Sequence, residues 1–121
     1  MTAPHDFVEL KKRLGAIHDL RMANELLSWD QVVMMPAGGA ASRAEQMATL
    51  ETIAHERFTS AEIGQLLDRL ASYEQSLPHE SDEACLIRQT RVDYDKSRKV
   101  PTELSAEMTR VSSLSRNAWA E

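Results

Sequence analysis

Apolar side chains recur along this chain at spacings of three and four, the period of a helix that buries one face. Phe7, Leu10, Leu14 and Ile17 begin such a stripe, and Leu20, Ala23 and Leu27 carry it on. The pattern predicts one long helix from about Asp6 to about Gln31, roughly 39 Å in length at the rise of an α-helix. Gly15 lies inside it at a cost of about 1 kcal/mol relative to alanine, which implies close backbone packing or a slight bend at that point. The period breaks between Val32 and Ala41. Met35-Pro36 disfavours helical geometry ahead of the proline, and Gly38-Gly39 permits a sharp reversal. Ser42 with Glu45 three residues on has capping-box spacing and opens a second helix, whose apolar face is Met47, Leu50, Ile53, Ala54 and Phe58. Thr59 with Glu62 repeats the signal for a third helix through Ile63, Leu66, Leu67, Leu70 and Tyr73. A loop at Ser76 to Ser81 leads into a fourth helix from about Asp82 to Arg98. Its apolar residues, Ala84, Cys85, Leu86, Ile87, Val92 and Tyr94, share no narrow face, so an outer, solvated helix is expected. Pro101 suits the first turn of a fifth helix, striped by Leu104, Met108, Val111, Leu114 and Ala118. From Ser115 to Glu121 there is no glycine, proline or basic last turn to stop it, so the reading is a helix that runs out of chain.

The fold class expected is all-α: about five helices in antiparallel hairpins or a bundle, forming one helical domain over 1–121 with a long first helix. Composition agrees. Ala, Leu, Met, Glu, Gln and Arg dominate, and they lose little rotamer freedom in a helix. The only consecutive β-branched apolar pair is Val32-Val33. The net charge of −5 argues against a nucleic-acid binder, which needs a basic face. No stretch approaches the roughly 20 apolar residues of a membrane span. No secretory leader is readable from Met1 to Leu10, and the single cysteine, Cys85, allows no intrachain disulfide; the expectation is a cytoplasmic protein.

No complete catalytic constellation emerges. A zinc peptidase helix needs two histidines four apart with a glutamate beside the first. The histidines are His5, His18, His55 and His79, and none are so spaced. His55-Glu56 begins like such a motif, but Thr59 stands where the second ligand belongs. Glu51 and His55 share a helix face and are read as an ordinary surface pair. His79, Glu80, Asp82 and Glu83 read as acidic capping of the fourth helix. Cys85, in an apolar quartet, is expected buried and inert. The serines show no nucleophile-elbow context, and Gly38-Gly39 lacks the lysine and hydroxyl of a phosphate loop. The methionines at 22, 34, 35, 47 and 108 are expected to fill gaps in the core.

One stretch is more specific. Within residues 26–50 stand Trp29-Asp30-Gln31, Met35-Pro36, Gly38-Gly39 and Arg43-Ala44-Glu45-Gln46. This resembles the segment near the start of the M32 (Taq-type) carboxypeptidases. Ala54-His55-Glu56-Arg57 with Thr59-Ser60, and later Lys99-Val100-Pro101 and Ala118-Trp119, agree in order and spacing. The similarity covers essentially the whole chain but a minor N-terminal fraction of a full family member. Val33 and Met34 depart from it, where the family usually has a threonine and an aromatic or polar residue.

The resemblance implies an almost wholly helical fold with a deep groove and release of C-terminal amino acids from peptides. It also implies a zinc or other divalent ion held by His-Glu-x-x-His and a further Glu, activating water with Glu as base. Those motifs lie downstream in the family. This chain is therefore expected to hold no catalytic residue, metal ligand or cofactor, and to serve as wall or lid of the groove. Homodimers are common in the family, so the expected partner is a second copy or the missing catalytic region, reached through an uncovered stripe of the first or fifth helix. A stand-alone helical interaction module is the alternative. The signature positions are Trp29, Asp30, Met35, Pro36, Gly39, Arg43 and Gln46, read as structural. Trp29 is expected to bury its ring near the end of the first helix, and Asp30 to accept from Arg43 or from free N–H groups opening the second.

Overall fold

The computed structural model describes residues 4–120, and the all-α reading holds: no strand occurs among them. The helices are α1 (His5–Val33), α2 (Ala40–Phe58), α3 (Ala61–Arg69), α4 (Ala71–Ser76), α5 (Asp82–Ser97) and α6 (Thr102–Ala120), with one 3-10 turn at Ala37–Gly39. None of the described helices is long and apolar enough to cross a membrane. Residues 1–3 of the expected leader-free start and Glu121 of the unstopped last helix lie outside the described residues.

Three local expectations need correction. The third expected helix is two, divided at Leu70, whose ψ of −1° interrupts the helical course between α3 and α4. α2 begins two residues ahead of Ser42, directly from the 3-10 turn, so Ser42 is inside the helix and does not cap it. Ser60, not Thr59, precedes α3, and its side chain makes no capping bond. At α5 the acidic residues Asp82 and Glu83 stand in the first turn as expected, and Ser81, not singled out in the sequence, supplies the side-chain cap, its Oγ accepting from the Ala84 N–H at 3.3 Å.

The described residues gather into two compact units, one of residues 4–16 and 58–99, the other of 17–57 and 100–120. α1 contributes its first part to unit 1 and the rest to unit 2.

Unit 1 has a conventional core. Leu10, Ile63, Leu67, Leu70 and Ile87 are fully buried, and at about 1.5–3 kcal/mol for each side chain removed from water they supply its main cohesion. The Phe7 ring lies 5.6 Å from Tyr73, and Phe58 stands edge-on to Tyr94 at 6.3 Å. α5 is not the solvated outer helix expected. It buries Ala84, Ile87, Thr90 and Tyr94, a three-three-four stripe that Cys85, Leu86 and Val92 disguise by adding apolar residues on other faces. α3 comes so close to α5 that a Cβ on Gly64 would stand 2.6 Å from Tyr94 Oη. That hydroxyl donates to the Ser60 carbonyl at 3.1 Å. Gly15, by contrast, has nothing within 4 Å of its Cβ position, and α1 runs through it unbroken, so the close packing expected there is absent.

Unit 2 is built differently. Three side-chain pairs, Glu45 with Arg110, Glu51 with Ser105 and His55 with Thr102, set α6 antiparallel to α2. Asn24 with the Met47 carbonyl, and Arg43 with Leu27 and Asp30, set α1 antiparallel to α2. Its buried residues are small or polar: Ala44, Ala48, Ala54 and Ala106 with Gln31, His55 and Ser113, alongside Ile17 and Met47. Of the thirteen large apolar side chains exposed among the described residues, eleven belong to this unit. The methionines therefore do not fill the core as expected. Met47 does, but Met22, Met34 and Met108 are exposed.

Candidate functional site

The signature residues converge on the joint between α1 and α2. The Asp30 carbonyl closes α1 by accepting from both Met34 and Met35 N–H, at 2.8 and 3.0 Å. That satisfies an acceptor which a helix end would otherwise leave to water. Pro36, with φ −62° and ψ 149°, then turns the chain and accepts from Gly39 N–H at 2.9 Å to form the 3-10 turn. Neither Gly38 nor Gly39 uses a left-handed conformation, so the reversal does not depend on glycine's backbone freedom. Space is tight at Gly39 instead: a Cβ there would stand 3.2 Å from Met35 Cγ, and the methionine side chain would have to give by a few tenths of an ångström.

Arg43 ties the joint together. From the first turns of α2 it reaches back to α1, donating through Nη1 to the Leu27 carbonyl at 2.8 Å and through Nη2 to Asp30 Oδ2 at 2.9 Å. Its side chain is only 14% exposed against 36% for Asp30, so the pair is shielded more than a surface bridge. Of the two expected partners of Asp30, this is the one the fold uses. Replacing Arg43 with Ala is expected to lower stability by about 1–2 kcal/mol, with Lys recovering part of it, because a lysine carries the charge but not the two-pronged geometry. Urea denaturation of the three proteins checks this.

Two signature residues stand elsewhere. Trp29 is 62% exposed, which overturns its expected burial: its side of α1 faces away from α2. Gln46 is exposed and, with Leu27, Glu45, Thr49 and Leu50, lines an open depression of about 510 Å³.

A second feature escaped the sequence reading. α6 turns a polar face toward α1 and α2, and the three border an open groove of about 380 Å³ lined by Asn24, Glu25, Glu51, Ser105, Ser112 and Arg116 among others. Two pairs of its groups are committed to one another. Ser105 Oγ donates to Glu51 Oε1 at 2.7 Å, and Arg116 donates to Ser28. Elsewhere on α6, Arg110 donates to Glu45 at 2.7 Å and to Glu107, and the hydrogen bond it makes to Glu45 raises the guanidinium above its ordinary range. The signal was available: Thr102, Ser105, Thr109, Ser113 and Arg116 sit on the turns between the apolar positions.

The Glu51–His55 surface pair is also corrected. His55 is only 5% exposed, and its Nδ1 lies 2.8 Å from Thr102 Oγ1. Cys85 is exposed rather than buried, with Arg88 Nη2 donating to its Sγ at 3.3 Å. These residues do not fit a metal centre. No three His, Cys, Asp or Glu side chains gather among the described residues, and Glu51 and His55 face α6 hydroxyls instead.

Comparison with known proteins decides the lineage. The sequence matches the model of the carboxypeptidase Taq (M32) metallopeptidases over residues 9–121. The chain belongs to the M32 family. A curated relative, thermostable carboxypeptidase 1 of Thermus thermophilus, is 33% identical over 96 residues, 79% of this chain and 19% of the relative. The chain thus spans about a fifth of that protein's length. No solved structure matches it. All seven signature positions lie inside the M32 match, and Asp30, Met35, Pro36, Gly39 and Arg43 are the ones that build the joint.

Proposed function

We propose that this M32 chain is the N-terminal framework of a metallocarboxypeptidase that removes C-terminal amino acids from peptides. It forms wall or lid of the substrate groove, while the divalent ion and its general base belong to the polypeptide that family members carry beyond the matched fifth. The observation that carries this reading is a family match over nearly the whole chain that spans only about a fifth of the relative's length. The joint residues then act as architecture: Arg43 and Asp30 fix the angle at which α2 leaves α1. The uncovered apolar residues of unit 2 favour a second reading, a helical interaction module that associates with its own kind or another protein.

The test is an assay of the purified 121-residue chain on N-blocked dipeptides, with and without added zinc. No release of C-terminal amino acid above the buffer rate is expected under either condition. Zinc-dependent turnover that survives repeated purification and chelator treatment with re-addition of metal would overturn the framework reading.

A further inference from the structure

Unit 2 carries many of its large apolar side chains on the side away from its own interior. In α1 the inward face carries Ile17, Leu20, Asn24, Leu27 and Gln31, all buried or half-buried. The diametrically opposite face carries Met22, Leu26, Trp29 and Val33, which are 48, 64, 62 and 52% exposed. α6 repeats the arrangement. Ala106 and Ser113 are buried, and Leu104, Met108 and Val111 stand opposite, about half exposed. Both outward stripes advance in four-three steps, the spacing that lets one helix seat its side chains between those of another at a crossing angle near +20°. A helix that is apolar on two opposite faces belongs between two layers.

We propose that these two seams seat amphipathic helices from the polypeptide that a full-length M32 protein carries beyond the portion matched here, making unit 2 a middle layer. The inference rests on the framework reading above and names its partner. Three observations select this occupant. The relative has about four-fifths of its length outside the match, ample chain to supply a further helical layer. Each seam exposes on the order of several hundred Å² of apolar surface, the size that marks an interaction site. Glu25 and Glu107 border the seams, and the chain's net charge is −5, which disfavours an anionic membrane surface as the occupant.

The experiment mixes the 121-residue chain with the Thermus thermophilus carboxypeptidase polypeptide from which the matched segment has been deleted. The chain carries Trp119→Phe, leaving Trp29 as its sole tryptophan. Light scattering on a sizing column is expected to give a one-to-one complex, with a blue shift of Trp29 emission. Leu26→Asp combined with Met108→Asp is expected to weaken it by about tenfold or more, while leaving the helical circular dichroism of the free chain unchanged, since both side chains are exposed. A complex indifferent to those substitutions would overturn the seams as its seat and leave the framework reading standing. A discrete dimer of the chain alone, broken by the same substitutions, would overturn it in favour of a second copy. So would no complex at all, provided a second arm agrees. That arm is a single chimaera in which this chain replaces the matched segment. Leu26→Asp there is expected to lower the melting temperature well below that of Val8→Asp, an exposed control in unit 1; equal effects would overturn the proposal on their own.

Discussion

Gly64→Ala is expected to destabilise the protein by about 2–3 kcal/mol, although alanine is the better helix former. The substitution gains about 1 kcal/mol of helix propensity. Against that, the added methyl must occupy a point 2.6 Å from Tyr94 Oη and 3.1 Å from Tyr94 Cζ. The tyrosine has no easy retreat. It is 7% exposed, its hydroxyl donates to the Ser60 carbonyl, Phe58 packs on it edge-on, and the Arg98 guanidinium lies 5.3 Å from its ring centre. Overpacking of this kind costs more than the propensity returns. Gly15→Ala is the internal control. There the methyl points into open space, so the same change is expected to raise stability by about 0.5–1 kcal/mol. Urea denaturation of both proteins gives the signs. A neutral or stabilising Gly64→Ala would mean that α3 and α5 are not in close approach at this point.

These two glycines show what the sequence can and cannot disclose. Both lie in helical stretches, yet one marks a close approach between helices that are distant in sequence and the other marks nothing. Local chemistry was legible. The long stripe from Phe7 announced α1, the acidic run through Asp82 and Glu83 announced α5, and Asp30 with Arg43 announced the ion pair at the joint, because each depends on neighbours within a turn or on one short connection. The choice of inward face was not legible. Periodicity groups Leu104, Met108 and Val111 on one side of α6 but does not say that this side faces away from α2. In an isolated domain the apolar side would be the inner one. Here Ala106 and Ser113 take that place, because they let α6 lie close enough to α2 for Ser105 and Thr102 to reach Glu51 and His55. Trp29 was misplaced for the same reason. α5 failed in the opposite direction, since Thr90 reads as polar and so hid the stripe to which it belongs.

A close-packed polar interior makes its own demand, and Gln31→Leu tests it with an expected loss of about 2–3 kcal/mol. Gln31 and Ser113 are 9 and 3% exposed and satisfy each other twice. Gln31 Nε2 donates to the Ser113 carbonyl at 2.9 Å, and Ser113 Oγ donates to Gln31 Oε1 at 3.0 Å. Leucine fills nearly the same volume, so the cost is not a cavity. It is the removal of two buried hydrogen bonds and the stranding of the serine hydroxyl, which must fall back on the carbonyl of its own helix. Ser113→Ala removes one of those bonds and is expected to cost about half as much. In the double variant neither unpaired partner remains, and its loss is expected to fall short of the sum of the single losses by about 1 kcal/mol or more. Strict additivity in that cycle would show that α1 and α6 are held together by something other than this pair. Coupling of the expected size would show that their register is set by polar matching, which specifies a single alignment where a seam of leucines would tolerate several.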